Sequence, residues 1–127
     1  HQRAHFTGHL PPADLAAHLA RSHLLVLPSS YEGFGIAYLE GMAFGLPAIG
    51  TTAGAASDLI RAGRNGLLIE PGDYQALAEQ LSQLHRNRQK LAAMGIAALN
   101  QFKRHPGWED SMATARRFLE GYNQSNA

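Results

Sequence analysis

Apolar residues recur along this chain with two different spacings, and the spacing changes near residue 73. Arg3 to Thr7 alternates polar and apolar positions and stops at Gly8, the pattern of a short strand ending in a turn. Pro12 and Asp14 open an amphipathic helix with Leu15, Ala16 and Leu19 on one face, running to about Arg21. His23 to Leu27 is a nearly continuous apolar run halted by Pro28, which suits a strand buried on both faces of a parallel sheet. Ser29 to Gly35 reads as a polar loop, and Ile36 to Phe44 as a helix ended by Gly45. Pro47 to Gly50 is a further strand, Ala55 to Ala62 a short helix, and Gly66 to Ile69 a fourth strand closed by Pro71-Gly72-Asp73. Beyond Asp73 the spacing is helical throughout. Leu77, Leu81 and Leu84 mark one helix, Leu91 to Phe102 a second and Trp108 to Tyr122 a third. Strands alternating with helices predict a Rossmann-like α/β fold, a doubly wound parallel sheet of about four strands with a helical C-terminal flank.

Composition narrows the class. The chain has 127 residues, 45% of them hydrophobic and 17% charged, which predicts one globular domain with a single core. A net charge of +1 gives no case for nucleic acid as a partner. Seven basic residues (Arg86, Arg88, Lys90, Lys103, Arg104, Arg116, Arg117) crowd the C-terminal third, against Glu109, Asp110 and Glu120. They read as a solvated helix face, with peripheral contact to a membrane surface as the alternative. There is no cysteine, no apolar run long enough for a membrane span and no signal-peptide layout, so a cytoplasmic setting is expected. The first residue is His1 rather than Met, which predicts a piece of something longer. His1, His5 and His9 are four apart, but Phe6-Thr7-Gly8 and Pro11 make that segment strand and turn, so no metal site is expected there. Trp108, Phe118 and Tyr122 read as core or interdomain packing rather than a cofactor box.

In an open α/β sheet, ligands bind at the carboxyl ends of the strands. The loops in those places are Gly8 to Pro11, Ser29 to Gly35, Thr51 to Ala55 and Glu70 to Asp73. The second carries Glu32-Gly33-Phe34-Gly35 directly before a helix. Free amides, close approach and the helix dipole there suit a diphosphate, although an ordinary glycine-rich turn has the same spacing. The alternating glycines of an NAD or FAD domain are absent. Glu40 follows Glu32 by eight residues, an axial separation of roughly 12 Å if every step were helical. Glycosidase carboxylates stand about 5 to 9.5 Å apart, so this pair is a poor hydrolytic dyad. It suits the two ends of a long, hydroxyl-bearing ligand. Glu40 could instead be a plain solvent-facing residue, but Ile36, Leu39, Met42 and Ala43 around it are apolar. Tyr31 either stacks on a ligand or covers the loop.

Pro28-Ser29, Glu32-Gly33-Phe34-Gly35, Leu39-Glu40, Met42-Ala43 and Gly45-Leu46-Pro47 together resemble the signature of family 4 glycosyltransferases, retaining enzymes of the two-domain GT-B fold. The likeness continues through Gly54, Asn65-Gly66-Leu67-Leu68 and Pro71-Gly72-Asp73, over roughly residues 5 to 85. The resemblance implies part of the C-terminal, donor-binding half of such an enzyme, with the N-terminal acceptor domain absent. It implies a hexosyltransferase that uses a UDP- or GDP-linked sugar, with no metal and no further cofactor. Glu32 is then the catalytic glutamate, touching the hydroxyls of the donor sugar, and Glu40 contacts the ribose. Gly33, Phe34 and Gly35 lie against sugar and phosphates, with Ser29 and Ile36 at the ends of the loop. Gly8 and Leu10 sit in the segment that helps hold the base. The chain departs from the family in reading Gly54-Ala55 and Ser57-Asp58 where two glycines and a Pro-Glu are usual. The basic pair that neutralises the diphosphate in the family has no counterpart here nearer than Arg3. Two classes remain open, a catalytic half that is inactive alone and a nucleotide-sugar binding module without turnover. An open sheet edge and the last helix predict a homodimer or domain-swapped assembly.

Overall fold

Pro12 at the first helical position needs no N–H partner and Asp14 complements the helix dipole, so α1 spans Pro12–Arg21 in the computed structural model. The structure describes residues 3–125, with side chains through residue 121. Next come β1 (Leu25–Val26), α2 (Ile36–Ala43), β2 (Ala48–Thr51), α3 (Ala56–Leu59) and β3 (Gly66–Ile69). Three helices follow, α4 (Tyr74–Arg86), α5 (Arg88–Arg104) and α6 (Trp108–Ser125). Asp73 and Asn87 start α4 and α5 as side-chain caps, each accepting a 2.9 Å bond, from Ala76 N–H and Lys90 N–H respectively.

The sheet is parallel, in the order β1-β2-β3. Leu25 stands opposite Ala48, and Ala48 in turn opposite Gly66, with Thr51 opposite Ile69 at the far end. The two-residue alternation of a strand sorts the side chains onto two faces. Leu25, Leu27, Ala48 and Leu68 join Tyr38 and Met42 of α2, Ala56 and Leu59 of α3, and Ile60 just beyond α3. Leu24, Val26, Ile49, Leu67 and Ile69 join Leu84, Leu91 and Met94 from α4 and α5. Helices cover both faces, as the doubly wound reading expects. β2, flanked by strands on both edges, is buried at every position.

Two expectations change. Arg3 to Thr7 forms no strand. The segment is irregular and exposed, with Phe6 94% accessible, so the sheet has three strands rather than four. Its alternation supplies one face for a sheet, but a strand exists only where an edge pairs with it, and no described strand does. The short helix expected over residues 55 to 62 is confined to α3. Leu77, Leu81 and Leu84 lie on one helix as expected, but Leu81 is exposed where Leu84 is buried.

The last helix forms as expected, but its described residues are exposed. Trp108 is 79% and Phe118 72% accessible, so they are not part of this chain's core. The side chain of Tyr122 lies outside the described residues, as does His1. Among the described residues no helix is long and apolar enough to cross a membrane.

Candidate functional site

The three strands point the same way, so the loops that follow them share one edge of the sheet. The chain leaves β1 through Leu27, whose N–H donates to Ile49 C=O at 3.0 Å, and then crosses toward α3. There the backbone of Glu32 pairs with Gly54 in an isolated parallel bridge, and Ala55 N–H donates to Glu32 C=O at 2.8 Å. The Glu32 side chain turns back onto its own loop, where Oε1 accepts from Gly35 N–H at 3.2 Å. One acceptor position of the half-buried carboxylate therefore holds the loop closed, and the rest stay available to a ligand.

Gly35 has φ +72° and turns the chain into α2. A side chain there would be strained, and its Cβ would lie 2.7 Å from Leu59 Cδ1. The N–H groups of Ile36 and Ala37 open the helix with no intramolecular acceptor among the described residues. Free amides and the positive end of the helix dipole make this an anion-accepting junction. Gly33 is open around its Cα, and Phe34 is 85% accessible. Because Gly35 breaks the helical path between them, the all-helical separation of Glu32 and Glu40 does not apply.

The two glutamates have different surroundings. The Glu32 carboxylate bonds Gly35 N–H, and the Glu32 backbone bridges Gly54. Glu40 is exposed and, with Ile36 one turn before it, lines an apolar groove of about 330 Å³ between α1 and α2. Leu15, Leu19, Phe44 and Phe102 supply its larger apolar side chains, with Leu39. Glu40 is thus solvent-facing but framed by apolar side chains. Gly8 (φ +64°) and half-buried Leu10 precede α1, and among the described residues no hydrogen bond joins them to the glycine loop. Tyr31 is 75% accessible and does not cover the loop. His5 and His9 are exposed, and among the described residues no three His, Asp or Glu side chains gather as a metal set. Arg3 is exposed on the irregular N-terminal segment, and Asp58 is exposed on α3.

Two residues that the sequence reading passed over sit beneath this loop. Tyr38 is completely buried in α2 and its hydroxyl donates to Leu27 C=O at 3.2 Å. Thr51, equally buried at the end of β2, donates its hydroxyl to Ser29 C=O at 2.8 Å. A polar residue ending an otherwise apolar strand, and a tyrosine on an apolar helix, were the available signals.

Burial, and secondarily the Glu32 carboxylate, push the Tyr38 hydroxyl above its ordinary value of 10.0. The folded chain therefore keeps this proton at pH values where the unfolded chain has lost it. The stability from this group is complete below pH 10.0 and is lost as pH rises from there through the raised folded value. Urea titrations at about pH 9 and about pH 11 should show a fall in stability that Tyr38→Phe reduces. An unchanged fall in that variant would place its origin elsewhere.

The pattern that defines the glycosyl transferases group 1 family matches residues 1–101 of this chain. D-inositol 3-phosphate glycosyltransferase of Corynebacterium urealyticum is 32% identical over 112 residues, covering 88% of this chain and 26% of that protein. N-acetyl-alpha-D-glucosaminyl L-malate synthase of Bacillus anthracis is 40% identical over 85 residues, which are 67% of this chain and 22% of that protein. Among solved structures, sucrose-phosphate synthase from Thermosynechococcus elongatus superposes with a TM-score of 0.79 at 28% identity, over 94% of this chain and 29% of that one. HepE from Anabaena, solved in complex with UDP, superposes with a TM-score of 0.73 at 27% identity, over 88% of this chain and 30% of that one. The chain thus spans less than a third of the length of each of these four proteins. With its parallel α/β sheet, its glycine loop clamped by Glu32 and these likenesses, this chain belongs to the glycosyl transferases group 1 family.

Proposed function

We propose that this chain supplies the donor site of a glycosyltransferase that moves a hexosyl group from a nucleotide-diphosphate sugar with retention of configuration. The observation that carries this reading is the junction of the Glu32 loop with α2. It offers unpaired amides for phosphate oxygens and, a few residues away, a carboxylate with acceptor positions left for sugar hydroxyls. Gly33 to Gly35 and Ile36 bear on the phosphates, Glu32 on the sugar and Glu40 on the ribose, with Gly8 and Leu10 toward the base. The likeness to HepE, solved with UDP, supports a uridine nucleotide, and GDP is the other candidate.

The site works without a divalent ion in this reading, because amides and the helix dipole meet the diphosphate charge. Without the family's basic pair the affinity of this stretch of chain is weak, high micromolar or above. A thermal-shift panel of UDP, GDP and ADP with their sugars checks it. UDP or GDP at about twenty times its Kd stabilises by about 1.8 kcal/mol, and a chain of this size should melt about 5 °C higher. The rise is expected to survive EDTA. A rise that EDTA abolishes rejects the metal-free site, and no rise with any nucleotide rejects the donor site itself. Release of UDP from UDP-glucose on adding acceptor, measured on a longer protein that carries this chain together with an acceptor domain, separates a transferase from a binding module without turnover.

A further inference from the structure

The backbone ladder between β1 and β2 ends where Leu27 N–H meets Ile49 C=O. Beyond that bond the two chains part, β1 running into the glycine loop and β2 toward Gly54. Two side-chain hydroxyls then take over the work of the ladder. Tyr38 reaches Leu27 C=O from α2, and Thr51 reaches Ser29 C=O from β2, so alternate carbonyls of the departing strand are held from two directions. The space for the first is made by Gly50, where a Cβ would stand 2.7 Å from the Tyr38 hydroxyl oxygen. The next fixed points are Glu32 C=O, held by Ala55 N–H, and Gly35 N–H, held by the Glu32 carboxylate.

Packing does not hold this loop from outside. Its two large side chains, Tyr31 and Phe34, project into solvent, and Ser30 and Gly33 are exposed. Hydrogen bonds from the core are what fix its height above the sheet. Both hydroxyls are wholly buried, where a lost partner is not replaced by water and the bond counts for more than at the surface.

We propose that Tyr38 and Thr51 are positioning residues for the donor loop, acting through the carbonyls of Leu27 and Ser29 to hold Glu32 and Gly35 at ligand-binding height. The binding consequence rests on the donor-site reading above, whereas the latch itself is visible in the unliganded chain.

Amide hydrogen exchange on Thr51→Val, Thr51→Ser and Tyr38→Phe tests the latch without any ligand. In Thr51→Val the amides of Gly35 and Ala55 are expected to exchange about fivefold faster, one lost hydrogen bond's worth, while those of Leu67 to Ile69 in β3 keep their protection. Thr51→Ser, which retains the hydroxyl, restores the slow exchange, and Tyr38→Phe repeats the loss. UDP affinity by calorimetry falls about fivefold in the Val and Phe variants and recovers in the Ser variant. Wild-type exchange at Gly35 and Ala55 in the folded variants overturns the proposal, as does failure of Thr51→Ser to rescue. Faster loop exchange with unchanged UDP affinity also overturns it. If Thr51→Val does not fold, Tyr38→Phe decides. If the unsubstituted chain binds no UDP, the donor-site reading fails, and the exchange rates still decide the latch.

Discussion

Gly54→Ala is expected to lower the melting temperature by about 8 to 15 °C, while Gly63→Ala lowers it by about 4 °C. Both glycines have φ +81°, so alanine meets the same left-handed backbone cost at each, about 1 kcal/mol after allowing for the stiffer unfolded chain. They differ in what surrounds them. A Cβ at Gly63 meets nothing within 4 Å, whereas at Gly54 it runs into the Glu32 carbonyl oxygen and stands 3.0 Å from the Glu32 carbonyl carbon and amide nitrogen. Backbone cannot rotate away as a side chain can, so crowding adds about 1 to 3 kcal/mol and pushes Glu32 off Ala55. The expected total is about 2 to 4 kcal/mol, with loss of UDP binding in whatever stays folded. Calorimetric melting of the two variants side by side checks this. Equal losses would mean that the Glu32–Gly54 contact does not constrain the loop.

Glu40→Gln is expected to weaken UDP binding by about 1.5 to 3 kcal/mol, a factor of about 10 to 150, through loss of the charge-assisted bond proposed to the ribose. Glu32→Gln is expected to leave UDP affinity within about twofold and to remove the extra affinity of UDP-glucose over UDP. Glutamine keeps an amide oxygen that still accepts from Gly35 N–H, so the loop stays closed while the charge proposed to meet the sugar is gone. Titration of each variant with UDP and with UDP-glucose separates the two roles. The different surroundings of the two carboxylates underlie the division, Glu32 bonded to Gly35 N–H within the loop and Glu40 exposed at the groove beside α1. Equal losses of UDP affinity in both variants would contradict it.

The sequence by itself determined the features that depend on near neighbours. The 3.6-residue spacing of leucines specified α4 and α5, and Pro12 with Asp14 specified α1. The apolar run from Pro47 to Gly50 and the segment Gly66 to Ile69 are parallel strands as expected, the first buried throughout. The glycine loop was legible because Glu32, Gly33 and Gly35 lie within four positions of one another. Tertiary structure decided what depends on distant partners. Arg3 to Thr7 has a strand's alternation but no edge to pair with, and alternation alone leaves backbone N–H and C=O groups unpaired. The side on which Glu40 faces follows from how α2 packs on α5 and the sheet, which no local spacing encodes. Gly54 matters because Glu32, twenty-two residues earlier, passes over it, and Thr51 meets Ser29 across the same span of chain. Periodicity sorts side chains into faces, because it is a property of one element's geometry. A hydrogen bond between elements exists only after the sheet has brought two stretches of chain to within 3 Å or so, and that is why the clamp on the glycine loop appears only in the folded protein.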